Sequence, residues 1–404
     1  SYVKKRLDFN NLSSSRPLLC LLHERAPLSQ TEAAGMLNLS SGACNLHFQR
    51  LHYEGLIRQV DTRGEGRGRP TQIWDIDRER NACIALVFDV PFLEARLFDF
   101  SGKIIAEARE DLSEMSDQEE LVACIDAFVT DAAEALRERK GFIRQAFCAL
   151  PGLLDPETGK VLSAVNLPIL NGLDLERMFQ NRFGMTCHAG SLGTAFYHGE
   201  VEGRESDGMT MLIYWDLGIG IVFGHEHRIM TLHTNGHRTS PLMSELGHVR
   251  IEREGNPCHC GRTGCLEAHV GGWALLQAIG DPDIRTIAEL VEAVRAGDER
   301  AREETRDAAR LLGKQLAWPI QLMNVTQIII SGPLAPAMTS AIKDFRDGLG
   351  SVFPPPEVER LNLLVSETPA TCVLRGAFKM AKRLFLYPDE FQEFIRKPGG
   401  SVQA

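Results

Sequence analysis

The sequence predicts an α/β protein headed by a small winged helix-turn-helix. Three features carry that expectation. Short capped helices lead into a Gly/Arg-rich hairpin within residues 15–70, strands alternate with helices from residue 82 onward, and charge is divided between these two parts. The 404-residue chain has a net charge of −10, yet residues 1–70 hold ten Lys/Arg against six Asp/Glu, leaving −14 on the remainder. A basic head on an acidic body argues against a protein that coats nucleic acid over its whole surface. The length suits two or three domains with substantial cores.

In the head, SRPLLCLLHER places Ser15 before a Pro and an apolar run, the pattern of a capped helix start. In PLSQTEAAGMLNLS, Ser29 and Glu32 have the spacing of a capping box. Ser40 is the expected cap of a third helix, with Cys44, Phe48 and Leu51 as its buried stripe and Gly55 as its stop. IRQVDTRGEGRGRPTQIWDID then reads as two strands around a Gly/Arg-rich tip. The third helix is the one expected in the DNA major groove. Its outward face presents Ser41, Asn45 and Gln49, with Arg50 beside them. Asn and Gln can pair with adenine edges, and Arg with guanine or phosphate. Arg67 and Arg69, on a glycine-freed backbone at the tip, suit phosphates or a narrow minor groove. They favour DNA over a protein-binding winged helix.

In the body, ACIALVFDV and EARLFDFSGKII read as strands joined by a short turn. DQEELVACIDAFVTDAAEALRERK has helical periodicity, and IRQAFCALPG is a strand ending in a Pro-Gly turn. MTMLIYWDLGIGIVFG, a helical AREETRDAARLLGKQLAWPIQLMN and the strand VTQIIISGPLA follow. Such alternation implies largely buried sheets covered by helices.

Three of the ten cysteines fall within eight positions, Cys258, Cys260 and Cys265; the other seven are scattered among apolar neighbours. No secretory signal pattern and no apolar run of spanning length is present, so no membrane insertion and a cytoplasmic location are expected. Clustered cysteines in that compartment more often bind metal than form disulfides. With Gly261 and Gly264 supplying tight turns, the three thiolates can surround one ion, and a neutral imidazole is a suitable fourth ligand. Adjacency nominates His259, although it lies between two ligands and is expected to point away.

The chain resembles the ROK family of repressors, open reading frames and sugar kinases over nearly its whole length. ELGH (245–248) followed by CHCGRTGCLE (258–267) matches the family's E-x-G-H and C-x-C-G-x-x-G-C-x-E, joined by PGLLD (151–155), AVNLP (164–168) and ISGPLA (330–335). The resemblance implies an actin-like ATPase (ribonuclease H-like) body of two α/β lobes with a ligand cleft between them. It places the winged helix at 1–80, lobe 1 at 81–195 with completion by about 375–404, and lobe 2 with the zinc loop at 196–374. It selects His248 as the fourth ligand beside Cys258, Cys260 and Cys265, with one structural zinc per chain, leaving His259 and His269 as bystanders. It maps the sugar-contacting residues onto Asn166, Glu245, His248 and Glu267. A winged-helix head marks the family's transcriptional-repressor branch.

The family's catalytic motifs are departed from. Where its kinases carry Asn-Asp, whose Asp is the general base, this chain has Ser191-Leu192. The first phosphate loop, D-x-G-G-T, becomes Asp89 followed by Val90-Pro91-Phe92-Leu93. Pro lacks an amide donor, and bulky side chains obstruct a phosphate. The second loop, DLGIGIVFG (216–224), carries Val222 where a glycine is usual, and Ser331-Gly332-Pro333 replaces paired glycines. Phosphoryl transfer depends on nucleotide positioning, so the sequence is not expected to be a kinase. The expectation is a DNA-binding regulator of carbohydrate genes, a homodimer or homotetramer on a double-stranded operator. Its effector would be a sugar or sugar phosphate, or a sugar-transport protein; HEHRIMTLHTNGHRT (225–239) could receive a phosphate. The alternatives are an ATP-dependent sugar kinase with an appended DNA-binding head, or a ligand-free scaffold regulated by a protein partner.

Overall fold

The computed structural model describes residues 12–63, 71–155, 158–201, 204, 208–225, 228–230, 245–367 and 369–388. The chain forms two compact units: Ser1–Cys148 with Leu173–Ala189 and Phe378–Ala404, and Ala149–Gly172 with Gly190–Ala377.

The first unit opens with α1 (Arg16–Arg25), β1 (Leu28–Ser29), α2 (Gln30–Leu37), α3 (Ser41–Tyr53), β2 (Ile57–Arg63) and β3 (Thr71–Ile76). The Ser29 hydroxyl accepts from the Glu32 amide at 3.1 Å, and the Glu32 carboxylate accepts from the Ser29 amide at 2.7 Å, completing the capping box. Ser40 caps α3 through the Ala43 amide, while Cys44, Phe48 and Leu51 are fully buried. Gly55 ends the helix at φ +68°, the left-handed conformation that glycine adopts without strain. Ser15 does not cap α1: its hydroxyl pairs instead with His47 Nδ1 of α3 at 3.0 Å, because the two helices pack together. The wing is a three-stranded sheet, β1-β3-β2, since the short stretch Leu28–Ser29 pairs with β3.

The same unit holds β4 (Asn81–Asp89), β5 (Phe92–Asp99), β6 (Ile104–Asp111), α4 (Gln118–Arg137), β7 (Phe142–Leu150), α5 (Leu175–Phe183) and β10 (Cys187–Ser191). The stretch expected as one strand, EARLFDFSGKII, is a hairpin. Asp99 accepts from the Ser101 and Lys103 amides and turns the chain at Gly102, φ +91°. The sheet order is β10-β7-β4-β5-β6. Phe378–Leu386 packs on this unit through Phe98–Phe378 and Phe100–Phe385 ring contacts.

The second unit contains β8 (Leu153–Leu154), β9 (Val161–Ser163), α6 (Leu192–Glu200), β11 (Met209–Trp215), β12 (Ile219–His225), β13 (Arg228–Ile229), α7 (Glu267–Val270) and α8 (Gly272–Ile279). It continues with α9 (Ile287–Ala296), α10 (Glu299–Leu322), β14 (Val325–Ser331), α11 (Ala335–Gly350), α12 (Pro355–Arg360), β15 (Asn362–Val365) and the first half of α13 (Pro369–Leu386). The boundary expected at 195/196 falls inside α6, which lies in this unit with its apolar face on β11, β12 and β14. MTMLIYWDLGIGIVFG is two antiparallel strands around a turn at Asp216–Gly218. The sheet order is β13-β12-β11-β14-β15, with β14 and β15 parallel to their neighbours.

Renumbered within each sheet, both orders read 3-2-1-4-5. That repetition is the duplicated α/β architecture of the actin-like, ribonuclease H-like class. In the second unit α10 and α11 cross closely: a Cβ on Gly313 would lie 2.2 Å from the Phe345 carbonyl oxygen. Among the described residues no helix is long and apolar enough to cross a membrane.

Candidate metal centre, effector residues and DNA-binding face

The cysteine loop is built on a 3₁₀ turn, Glu245–His248, and two isolated bridges, Arg250↔Cys265 and Pro257↔Thr263. It brings single donor atoms of His248, Cys258, Cys260 and Cys265 within 4.8 Å of one another. Cys258 Sγ lies 3.5 Å from His248 Nδ1, and Cys260 Sγ lies 3.7 Å from Cys265 Sγ. Gly264 is required here: its φ is +73°, and a Cβ would fall 2.1 Å from the Glu252 carbonyl oxygen. The cluster is chemically suited to a cation. Burial pushes the Cys258 thiol up to about 12 and raises Cys265 as well. Burial also opposes ionisation of Cys260, but hydrogen bonds from the Arg262 backbone and side chain and from its sister thiols bring it down to about 7. Crowded thiols resist sharing negative charge until a cation offsets it, so a His/Cys set of this kind can hold a metal ion.

His248 uses its two ring nitrogens in opposite directions. Nδ1 faces the thiols and Nε2 lies 3.6 Å from a Glu245 carboxylate oxygen. Glu245 has a pKa raised by burial, against the lowering influence of His248. Glu267, the first residue of α7, is buried. One of its oxygens accepts from the Ile219 amide at 3.1 Å, the other from Trp273 Nε1 at 3.3 Å. His259 does point away from the cluster, but it is more than a bystander. Its ring stacks on Trp273, centroids 4.0 Å apart and 20° between planes. Trp273 therefore joins the cysteine loop to Glu267, a link with no local sequence signal. Asn166 stands exposed in the turn after β9, with no hydrogen bond to Glu245, His248 or Glu267.

Leu192 is the first residue of α6 and is buried, while Ser191 caps that helix through the Thr194 amide at 3.2 Å. This pair thus offers a helix cap and a core side chain, not a proton acceptor. At the β4–β5 turn, the Arg109 guanidinium sits 3.7 Å from the centre of the Phe92 ring, and the Pro91 carbonyl accepts from the Leu112 amide at 2.7 Å. Val222 is buried, and a Cβ on Gly193 would lie 2.6 Å from its Cγ2. The Ser331 hydroxyl donates to buried Glu200 at 2.7 Å.

On α3, Ser41, Asn45 and Gln49 are exposed as expected. Arg50 instead turns back, half-buried, with Nη1 donating to Ser14 at 3.4 Å. Gln30 at the start of α2 donates to Asn45 Oδ1 at 3.4 Å and orients its carboxamide, a contact the sequence did not suggest. Leu46 and Tyr53 are also exposed on this helix. Arg67 and Arg69 lie outside the described residues, as does most of 225–239.

A winged helix joined to a duplicated 3-2-1-4-5 body with a Cys₃His cluster defines a class of two-part DNA-binding regulators. The ROK family model matches residues 91–383, and the chain belongs to that family. A winged helix-turn-helix DNA-binding model matches residues 16–58. The DNA-binding transcriptional dual regulator NagC of Escherichia coli K12 is 28% identical over 374 residues, covering 85% of this chain and 89% of that protein. A crystal structure of a ROK family transcriptional regulator, described as a homolog of the E. coli MLC protein, superposes with a TM-score of 0.75 at 20% identity, covering 96% of this chain and 99% of that one. A ROK family glucokinase from Streptomyces griseus, in complex with glucose and AMPPNP, superposes with a TM-score of 0.61 at 20% identity, covering 75% and 99%.

Proposed function

We propose that the protein is a DNA-binding transcriptional regulator of carbohydrate-metabolism genes that responds to a sugar or sugar phosphate and does not phosphorylate it. The observation that carries this reading is the pairing of a winged helix with a body whose position for the catalytic base is a buried leucine, Leu192. The similarity to NagC over both parts of the chain supports it. Filling of the β4–β5 turn by Phe92 and Arg109 supports the absence of kinase activity.

In this reading Ser41, Asn45 and Gln49 face base edges and Arg67 and Arg69 face phosphates, while Arg50 braces α3 through Ser14. Glu245, His248 and Glu267 receive hydroxyl groups, with Asn166 as a further donor. One zinc, held by His248, Cys258, Cys260 and Cys265, supplies a cross-link between the 3₁₀ turn and the loop that follows. His248 then conveys effector binding to the loop, since its second nitrogen faces Glu245. The operator is double-stranded DNA read by a homodimer or homotetramer in the cytoplasm. Thermal-shift screening against hexoses, N-acetylated hexosamines and their 6-phosphates tests the effector, because a ligand selective for the folded state raises its melting temperature. Stabilisation by one compound class is expected; no response to any would remove the small-molecule effector. A coupled ATPase assay with the same panel is expected to stay at background, and robust sugar phosphorylation would overturn the reading in favour of a kinase.

A further inference from the structure

Arg144 is the third residue of β7 in the body, yet its hydrogen bonds lead to the head. Only 1% of it is exposed. Nη2 donates to the Glu54 carbonyl at 2.6 Å, and Glu54 is the residue that closes the carboxyl end of α3. Nε donates to Asn81 Oδ1. Asn81, itself fully buried, donates to the carbonyls of Gly55 at 2.9 Å and Asp77 at 2.6 Å. The guanidinium lies over the Phe142 ring at 4.5 Å, and that ring is 2.9 Å from where a Cβ on Gly55 would be. Nη1 has no hydrogen-bond partner, and among the described residues no carboxylate forms an ion pair with Arg144. Burial pulls its pKa down to about 9.

A buried cation without a carboxylate partner is a poor stabilising device, and an apolar side chain of similar volume commonly serves stability as well. What an arginine adds is direction. Its planar fork fixes two acceptors at defined angles, and its charge complements the negative end of a helix. Here the acceptors are the carbonyl ending α3 and the side chain that grips the next residue. We infer that Arg144 is a positioning residue for DNA recognition, by which β7 and β4 set the direction of α3 and hence of Ser41, Asn45 and Gln49. The inference rests on the DNA-binding reading and extends it: part of base selectivity resides 90 residues beyond the recognition helix.

The test uses full-length protein and the duplex that the wild type selects from a randomised library. Arg144→Met should retain the wild-type melting temperature within a few degrees. Hydrogen exchange should accelerate about tenfold in peptides covering 48–57 but not in those covering α10, because removing the fork frees the end of α3. Affinity for the selected duplex should fall about tenfold, with base preferences flattened, and Arg144→Lys should recover part of both effects. Asn81→Leu, which keeps the guanidinium but removes the grip on Gly55, should change exchange in the same peptides and provides the decision if Arg144→Met does not fold. Unchanged exchange and affinity would overturn the inference, as would a fall in melting temperature that accounts for the whole loss of binding. If the wild type selects no duplex, the DNA-binding reading fails, while the exchange comparison still decides whether Arg144 orients α3.

Discussion

The two sheets of the body share one strand order, and their first hairpins have turned out differently. At the β4–β5 turn, Val90-Pro91-Phe92 fills the space with side chains, and Arg109 lies against Phe92. At the β11–β12 turn, the Asp216 amide donates to the Gly218 carbonyl at 3.0 Å, and the Asp216 carbonyl accepts from the Gly272 amide at 2.9 Å. Gly218 makes room for a Glu267 oxygen, which would lie 2.8 Å from any Cβ placed there. Gly218 in the second turn accommodates a buried carboxylate, whereas the first turn carries bulky side chains. A phosphate-loop sequence can therefore survive for a reason unrelated to phosphate.

That contrast can be broken from the metal side with the largest effect. Cys265→Ser should reduce bound zinc from one per chain to near zero after purification without chelator, with marked loss of thermal stability, because the loop that carries Glu267 loses its cross-link. Zinc-free wild-type protein by elemental analysis would refute the assignment. Next comes Leu192→Asp, which places a carboxylate at a buried position and should lower stability by roughly 2–4 kcal/mol in urea unfolding. It should still transfer no phosphate from ATP, since the β4–β5 turn has no cradle; recovered turnover would show that the turn was never limiting. Direct calorimetry on this variant also checks whether a restored acceptor improves sugar binding.

Smaller effects separate the two turns themselves. Gly218→Ala should cost about 1–3 kcal/mol, as overpacking does, and should perturb Trp273 emission because Glu267 must move. An unchanged melting curve would show that the second turn is as free as the first. Phe92→Ala in the first turn should cost only about 0.5–1 kcal/mol, the size of a partly exposed cation–π contact. A loss equal to that of Gly218→Ala would erase the distinction.

Local chemistry made much of this molecule legible in the sequence. The Ser29–Glu32 capping box, the Cys44/Phe48/Leu51 stripe and the cysteine spacing all depend on residues a few positions apart, and all appear as read. Long-range partners left no such trace. Ser15 matched a cap signal but met His47, 32 residues away, and Leu28–Ser29 is too short for a strand pattern and owes its pairing to β3. The position of His259 between two ligands predicts that it points away, but not that its ring stacks on a tryptophan of the next helix but one. Arg144 sits beside Gln145 in a largely apolar strand, where a single sequence cannot say whether the charge meets solvent or a buried carbonyl.

The contact between Val222 and Gly193 bears on the order in which substitutions can be accepted. With a valine methyl 2.6 Å from where a Cβ would stand, any side chain at position 193 forces Val222 or the start of α6 to shift. A chain moving between this state and one with a glycine at 222 meets less strain if it keeps glycine at 193 until the valine is gone. The two residues thus form a latch on the mutational path: enlarging residue 193 first costs a steric clash, and placing glycine at 222 opens a cavity beside α6 before any nucleotide is there to fill it.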